Sequence, residues 1–256
     1  MQLAAAVRNL KAAGTAQTRK TYARHGIPEP MFGVSFAHLK KLAKQIGEDQ
    51  ALAEKLWATG NFDCRALAIM IAEPDTMKLA TLNAWGRGVD NSGLSGMLGS
   101  FVAETKHAWK LASKWCAAKN DYLSAAGWSA IAVLAMSHDH DHHDHGPGEA
   151  CGHDHGDDEA LDELFATCVA AIEANIHTAP NRTRYAMNGA LIAIGSRDVK
   201  FRQLALAAAK RIGPVEVDHG DTDCKTPDAE SYIAKMWAHQ KAQAAKGKKP
   251  RKRSAC

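Results

Sequence analysis

Apolar residues recur along this chain at spacings of three and four, the period of a helix with one buried face. Leu39, Leu42, Ala43 and Ile46 follow it, as do Leu161, Leu164, Phe165, Cys168 and Ile172, and then Phe201, Leu204, Ala205, Ala208 and Ile212. No stretch combines strict alternation with β-branched residues, so no strand is predicted. The periodic runs break at Gly14, between Gly26 and Gly33, at Gly60 and Pro74, between Gly86 and Gly93, over 138–158, at Pro180 and Gly195, and between Gly213 and Pro227. Between these breaks lie predicted helices of about 10–17 residues, in pairs roughly every 30–50 residues. Asp, Ser or Thr ahead of several runs supplies N-caps. The expected fold is all-α: an α-solenoid in which each helix pair buries its apolar face on the next. A single irregular helical bundle fits the same period.

Composition narrows the class. The chain has 256 residues, 46% hydrophobic and 23% charged, which suits a globular core and excludes a wholly disordered chain. No apolar run approaches the roughly 18–20 residues of a membrane span. The first residues, MQLAAAVRNLKAAG, lack the continuous apolar segment of a secretion signal. The expectation is a cytoplasmic protein with no membrane partner. Six cysteines show no CxxC spacing, and Cys64, Cys116 and Cys168 fall inside helical patterns as reduced, buried thiols.

The net charge of +4 is unevenly spread. Residues 138–158 hold seven histidines and seven acidic side chains with no Lys or Arg, and 241–256 hold seven Lys or Arg with no acid. The remaining body stays basic, which suits a polyanionic partner. The expected organisation is a HEAT-like repeat domain over 1–212 that carries a disordered His/Asp-rich insert at 138–158. A C-terminal loop and docking helix follow over 213–243, then a basic tail over 244–256. The docking helix is expected from Asp228 to about Gln243, seated through Tyr232, Ile233, Met236 and Trp237.

Particular stretches resemble a known family. Gly33-Val34-Ser35-Phe36-Ala37-His38-Leu39-Lys40-Lys41-Leu42-Ala43-Lys44 is similar to the G-V-x-x-x-x-L-R/K-x-L-A-K signature of the DNA alkylation repair family, the AlkD-like HEAT-repeat proteins. Leu56-Trp57, Gly60 and Asp63-Cys64-Arg65-Ala66-Leu67-Ala68 resemble its next element. Pro74, Trp85, Gly127-Trp128 and Ala190-Leu191-Ile192-Ala193-Ile194-Gly195 look like its later ones. The resemblance implies stacked helix pairs whose concave, basic face cradles duplex DNA, with alkylated DNA among the candidate partners. Candidate phosphate contacts are Lys40, Lys41, Lys44, Arg182, Arg184, Arg197, Lys200 and Arg202. Arg65, in an apolar helix, is expected to pair with Asp63 or another carboxylate.

Active members of that family excise cationic alkylpurines, with an aspartate facing the developing oxocarbenium ion and tryptophans and an arginine lining the cleft. Here Ser92 stands where the first cleft tryptophan belongs and Gly96 where the aspartate belongs. Gly189 replaces the second tryptophan and Ile192 the arginine. The family's catalytic residues therefore do not carry over, and alkylpurine glycosylase activity is doubtful. Asp90, Glu104 and Asp121 are nearby substitute carboxylates, and Trp109, Trp115 and Trp128 either line a groove or anchor the core.

Two further segments carry candidate chemistry. His138, His140, His142, His143, His145, Cys151, His153 and His155 could hold zinc, nickel or copper, with no cofactor required. Asp218, His219 and Cys224 sit in a turn-rich stretch that is either a metal or thiol site or a plain loop. The leading functional reading is a protein of the alkylation-repair type that binds duplex DNA without sequence preference. The alternatives are metal binding or storage through the insert, and a protein-binding repeat scaffold.

Overall fold

The computed structural model describes residues 1–137 and 155–245, with side chains described for 1–137 and 161–243. These residues form thirteen helices and no strand. They are α1 (Leu3–Ala13), α2 (Ala16–Arg24), α3 (Phe36–Ile46), α4 (Gln50–Trp57), α5 (Phe62–Ile71), α6 (Leu79–Arg87), α7 (Ser92–Ala103), α8 (Ala108–Cys116), α9 (Asp121–Ser137), α10 (His155–Asn175), α11 (Asn181–Gly195), α12 (Val199–Ile212) and α13 (Ala229–Ala245). The chain divides into two compact units. The first is Met1–Ala130 with Asp218–Lys225; the second is Ile131–Val217 with the chain from Thr226 onward. Among the described residues no helix is long and apolar enough to cross a membrane.

The helices start where short polar side chains can satisfy free amides. Thr15, Ser35, Asp49, Asn61, Asn91 and Asp198 each accept the N–H three residues on, a cap worth about 1 kcal/mol. Gly86 and Gly93, at the margins of one expected break, are helical instead; the real break is Gly88–Asn91. Gly86 sits within α6 where close packing needs a glycine: a Cβ there would meet Trp115 at 2.8 Å and Leu123 at 2.9 Å.

In the first unit the helices stack in two rows. One row runs α3, α5, α7 and α9: α3 packs on α5, α5 on α7, and Gly99 of α7 meets Ala126 and Ser129 of α9 with no room for a side chain. The other row runs α4, α6 and α8. Trp57 of α4 stacks on Trp85 of α6 at 4.5 Å with planes 7° apart, and Gly86 of α6 lies against Trp115 of α8. Pairing α4 with α5 and α7 with α8 closes the core between the rows. This is the helix-pair stacking of an α-solenoid.

In the second unit α12 packs on α10, α11 and α13, and α11 also packs on α13. Phe165 and Phe201 meet edge to face at 5.8 Å. The docking helix α13 seats through Ile233, which is fully buried, and through Trp237, whose Nε1–H donates to the Gly195 carbonyl at 2.8 Å. Tyr232, expected on that contact, instead points outward at 41% exposed. Gly195 sets the register: a Cβ there would meet the Ile233 Cδ1 at 2.6 Å, so the face bearing Ile233 comes closest. Helix α10 begins at His155, inside the range read from sequence as a disordered insert.

Candidate nucleic-acid interface

The segment before α3 is fixed from three sides. Asp63 of α5, fully buried, accepts the N–H groups of Phe32, Gly33 and Val34. The Tyr22 hydroxyl of α2 donates to the Val34 carbonyl at 2.6 Å, and the Thr15 N–H donates to the Gly33 carbonyl at 2.9 Å. Burial, with the Asp63 charge nearby, pushes the Tyr22 pKa up to about 12, so the phenol stays protonated and donating. Gly33 has φ +79°, and a side chain on it would run into Arg19 and the Thr15 carbonyl. Its glycine is thus required twice, and α2 and α3 are locked to α5.

Residues 1–47 contain Arg8, Lys11, Arg19, Lys20, Arg24, Lys40, Lys41 and Lys44 against a single acid, Glu29, with Glu48 and Asp49 next in sequence and Asp218, Asp221 and Asp223 on the 218–225 segment of the same unit. All eight cations are exposed, and none enters an ion pair found among the described residues. Lys11 also lies 5.6 Å from the Phe32 ring centre. On α3, Leu39 and Leu42 point into the core while Lys40, Lys41 and Lys44 face out. Between α1 and α3 opens a pocket of about 340 Å³ lined by Asn9, Ala12, Ala13, His38, Lys41, Leu42 and Gln45. Sequence reasoning found the three α3 lysines but missed the five basic residues of α1 and α2. The missed signal was the charge of the first 47 residues taken alone.

The other candidate cations have different occupations. Arg184 donates to the carbonyls of His177 at 3.1 Å, Ala179 at 3.0 Å and Glu216 at 2.9 Å. It fastens the chain after α12 to the start of α11. The Arg197 side chain is only 10% exposed, lies 5.1 Å from the Phe165 ring centre and sits beside Asp198 at 3.4 Å. Lys200 pairs with Asp162 at 2.8 Å. Arg202 stacks 4.9 Å from the Trp237 ring centre, and Arg182 is half-buried.

Arg65 pairs with Asp90 at 3.3 Å and not with Asp63, which is engaged by the main chain. Its guanidinium also donates to the Gly88 carbonyl at 3.1 Å and lies 5.2 Å from the Trp57 ring centre. Asp90 additionally accepts from Asn91 Nδ2 at 2.8 Å. Trp115 and Trp128 are core residues, 2% and 3% exposed, and Trp109 is half-buried.

At the positions read from sequence as the family's cleft, Ser92 is half-buried at the start of α7 and Ile192 is buried in α11. Gly96 and Gly189 face open space, where an added Cβ would meet nothing within 4 Å. Among the described residues no three His, Cys, Asp or Glu side chains converge to hold a metal, and the 218–224 segment is a loop. His138, His140, His142, His143, His145, Cys151 and His153 lie outside the described residues, and His155 is described only as the first residue of α10.

Comparison with known proteins gives this arrangement a family. Two uncharacterized proteins, Lin0241 of Listeria innocua and Lmo0209 of Listeria monocytogenes, are each 28% identical over 232 residues, spanning 88% of this chain and 93% of theirs. A solved structure superposes with a TM-score of 0.79 at 28% identity, covering 94% of this chain and 95% of its own. It represents a new family of proteins related to the HEAT-like repeat DNA glycosylases with affinity for branched DNA structures. The profile of the DNA alkylation repair enzymes matches residues 6–233. Its span takes in both units and every element from α1 into α13, and the chain belongs to the DNA alkylation repair enzyme family.

Proposed function

We propose that this protein binds DNA by its phosphates through the cationic α1–α3 end of the first unit, without sequence preference and without excising bases. The observation that carries this reading is the set of eight exposed cations in residues 1–47 against one acid. Exposed lysines and arginines on helix faces exchange bound counterions for phosphate, a contact that carries no base information. Lys40, Lys41 and Lys44 are its centre, because the Asp63 latch holds their helix rigidly. The affinity of the solved relative for branched DNA supports the same partner class.

Base excision needs a carboxylate beside the developing positive charge. Gly96 supplies none, Gly189 offers no aromatic wall, and Ile192 is buried and uncharged. Asp90 is already engaged by Arg65 and Asn91. The test pairs two measurements on the full chain: anisotropy of a labelled duplex over a salt series, and 7-methylguanine release from methylated DNA. Binding that weakens steeply with salt and no base release are expected. Affinity indifferent to ionic strength overturns the phosphate reading; released 7-methylguanine overturns the noncatalytic one.

A further inference from the structure

The first unit carries a second lysine-rich face on its other row of helices. Residues 104–121 hold Lys106, Lys110, Lys114 and Lys119, with acids only at the two ends, Glu104 and Asp121. Helix α8 buries Ala108, Leu111, Ala112 and Trp115, so Lys110 and Lys114, one turn apart, share the opposite face. Lys106 and Lys119 lie in the turns before and after α8, and all four lysines are exposed. Lys114 Nζ donates to Asn83 Oδ1 of α6 at 3.1 Å, a neutral partner that leaves its charge uncompensated. A merely solvated helix mixes signs, as α4 does with exposed Glu54 and Lys55, whereas α8 itself carries no acid.

We infer that this α8 face is a second DNA contact, taking the phosphates of a second duplex arm at a branch. The inference rests on the DNA-binding reading above and extends it to a different surface. Helix α3 lies in the α3/α5/α7/α9 row and α8 in the α4/α6/α8 row, and a helix in a two-row stack turns its polar face away from the facing row. The lysines of α3 and those of α8 therefore do not line one straight phosphate track. A single duplex engages one row, whereas a branch point offers phosphates to both.

The test compares the wild type with K106Q/K110Q/K114Q and K106R/K110R/K114R, using a four-way junction and a linear duplex of the same arm sequence over a salt series. The wild type is expected to prefer the junction. Losing three phosphate contacts should weaken junction binding at least about tenfold and flatten its log K against log salt slope by about 2.7, with duplex affinity changed less than about twofold. The arginine variant keeps the preference. Three results overturn the inference: a glutamine variant that binds the junction like the wild type, equal losses on junction and duplex, or a wild type that binds both alike. A wild type that binds neither DNA overturns instead the reading on which the inference rests.

Discussion

Asp63 and Val34 are 29 residues apart in sequence, yet the Asp63 carboxylate accepts the Val34 N–H at 2.8 Å while also holding the amides of Phe32 and Gly33. One buried charge thus satisfies three main-chain donors and fixes the start of the helix that bears Lys40, Lys41 and Lys44. Replacing it strands those donors, and hydrogen bonds to charged groups are among the costlier to lose. Asp63→Ala should lower unfolding free energy by about 3 kcal/mol or more, read from urea denaturation. An unchanged midpoint contradicts the latch.

Helix-interior glycines here divide into two kinds. A Cβ at Gly127 would run into the Cys116 nitrogen and Trp115, whereas one at Gly96 or Gly189 meets nothing. Gly127→Ala should therefore destabilise by about 1–3 kcal/mol through overpacking. Gly96→Ala and Gly189→Ala should stabilise by up to about 1 kcal/mol, the helix-propensity gain. Thermal melts of the three variants check the ordering; a destabilised Gly96→Ala contradicts the open space at that face.

Arg184 separates a structural cation from a DNA-binding one. Its three carbonyl contacts make it a fastening for the chain after α12. Arg184→Ala should cost about 1–3 kcal/mol of stability. Its effect on DNA affinity should vanish at temperatures where the variant remains folded. Weakened DNA binding by a fully folded variant, with melting unchanged, contradicts this assignment.

Helix α13 starts on a charged cap. Asp228 Oδ1 accepts the Ser231 N–H at 2.9 Å, and that bond, with a second from the Ser231 side chain, lowers the Asp228 pKa below its ordinary 3.8. A lowered folded pKa means the contribution is present above 3.8 and lost as pH falls through the folded value. Asp228→Asn, which keeps the cap but cannot titrate, should show less loss of stability in that acid range than the wild type. Identical pH dependence contradicts the role of the Asp228 charge.

The sequence announced the helical period and, in the Gly-Val and Leu-Trp elements, the family. It hid pairings that depend on distance across the fold. Asp63 and Arg65 are near neighbours with opposite charges, and only the packing of α5 against the segment before α3 shows that the carboxylate serves amides while the guanidinium reaches Asp90. Arg184 reads as a surface cation because its partners are carbonyls, which leave no mark in sequence. Tyr232 and Ile233 are adjacent and both suited to burial; the missing side chain of Gly195 selects Ile233. The basic residues of α1 and α2 do not stand out in the summed charge of the body, where acids elsewhere along the chain offset them.

The functional reading stands or falls on the proposed hold of Lys40, Lys41 and Lys44 on DNA phosphates. It is tested most directly by the salt dependence of duplex binding for the wild type and K40A/K41A/K44A. Loss of three phosphate contacts should flatten the slope of log K against log salt by about 2.7 and weaken binding at low salt, with melting unchanged. A variant that keeps the wild-type slope and affinity contradicts the account.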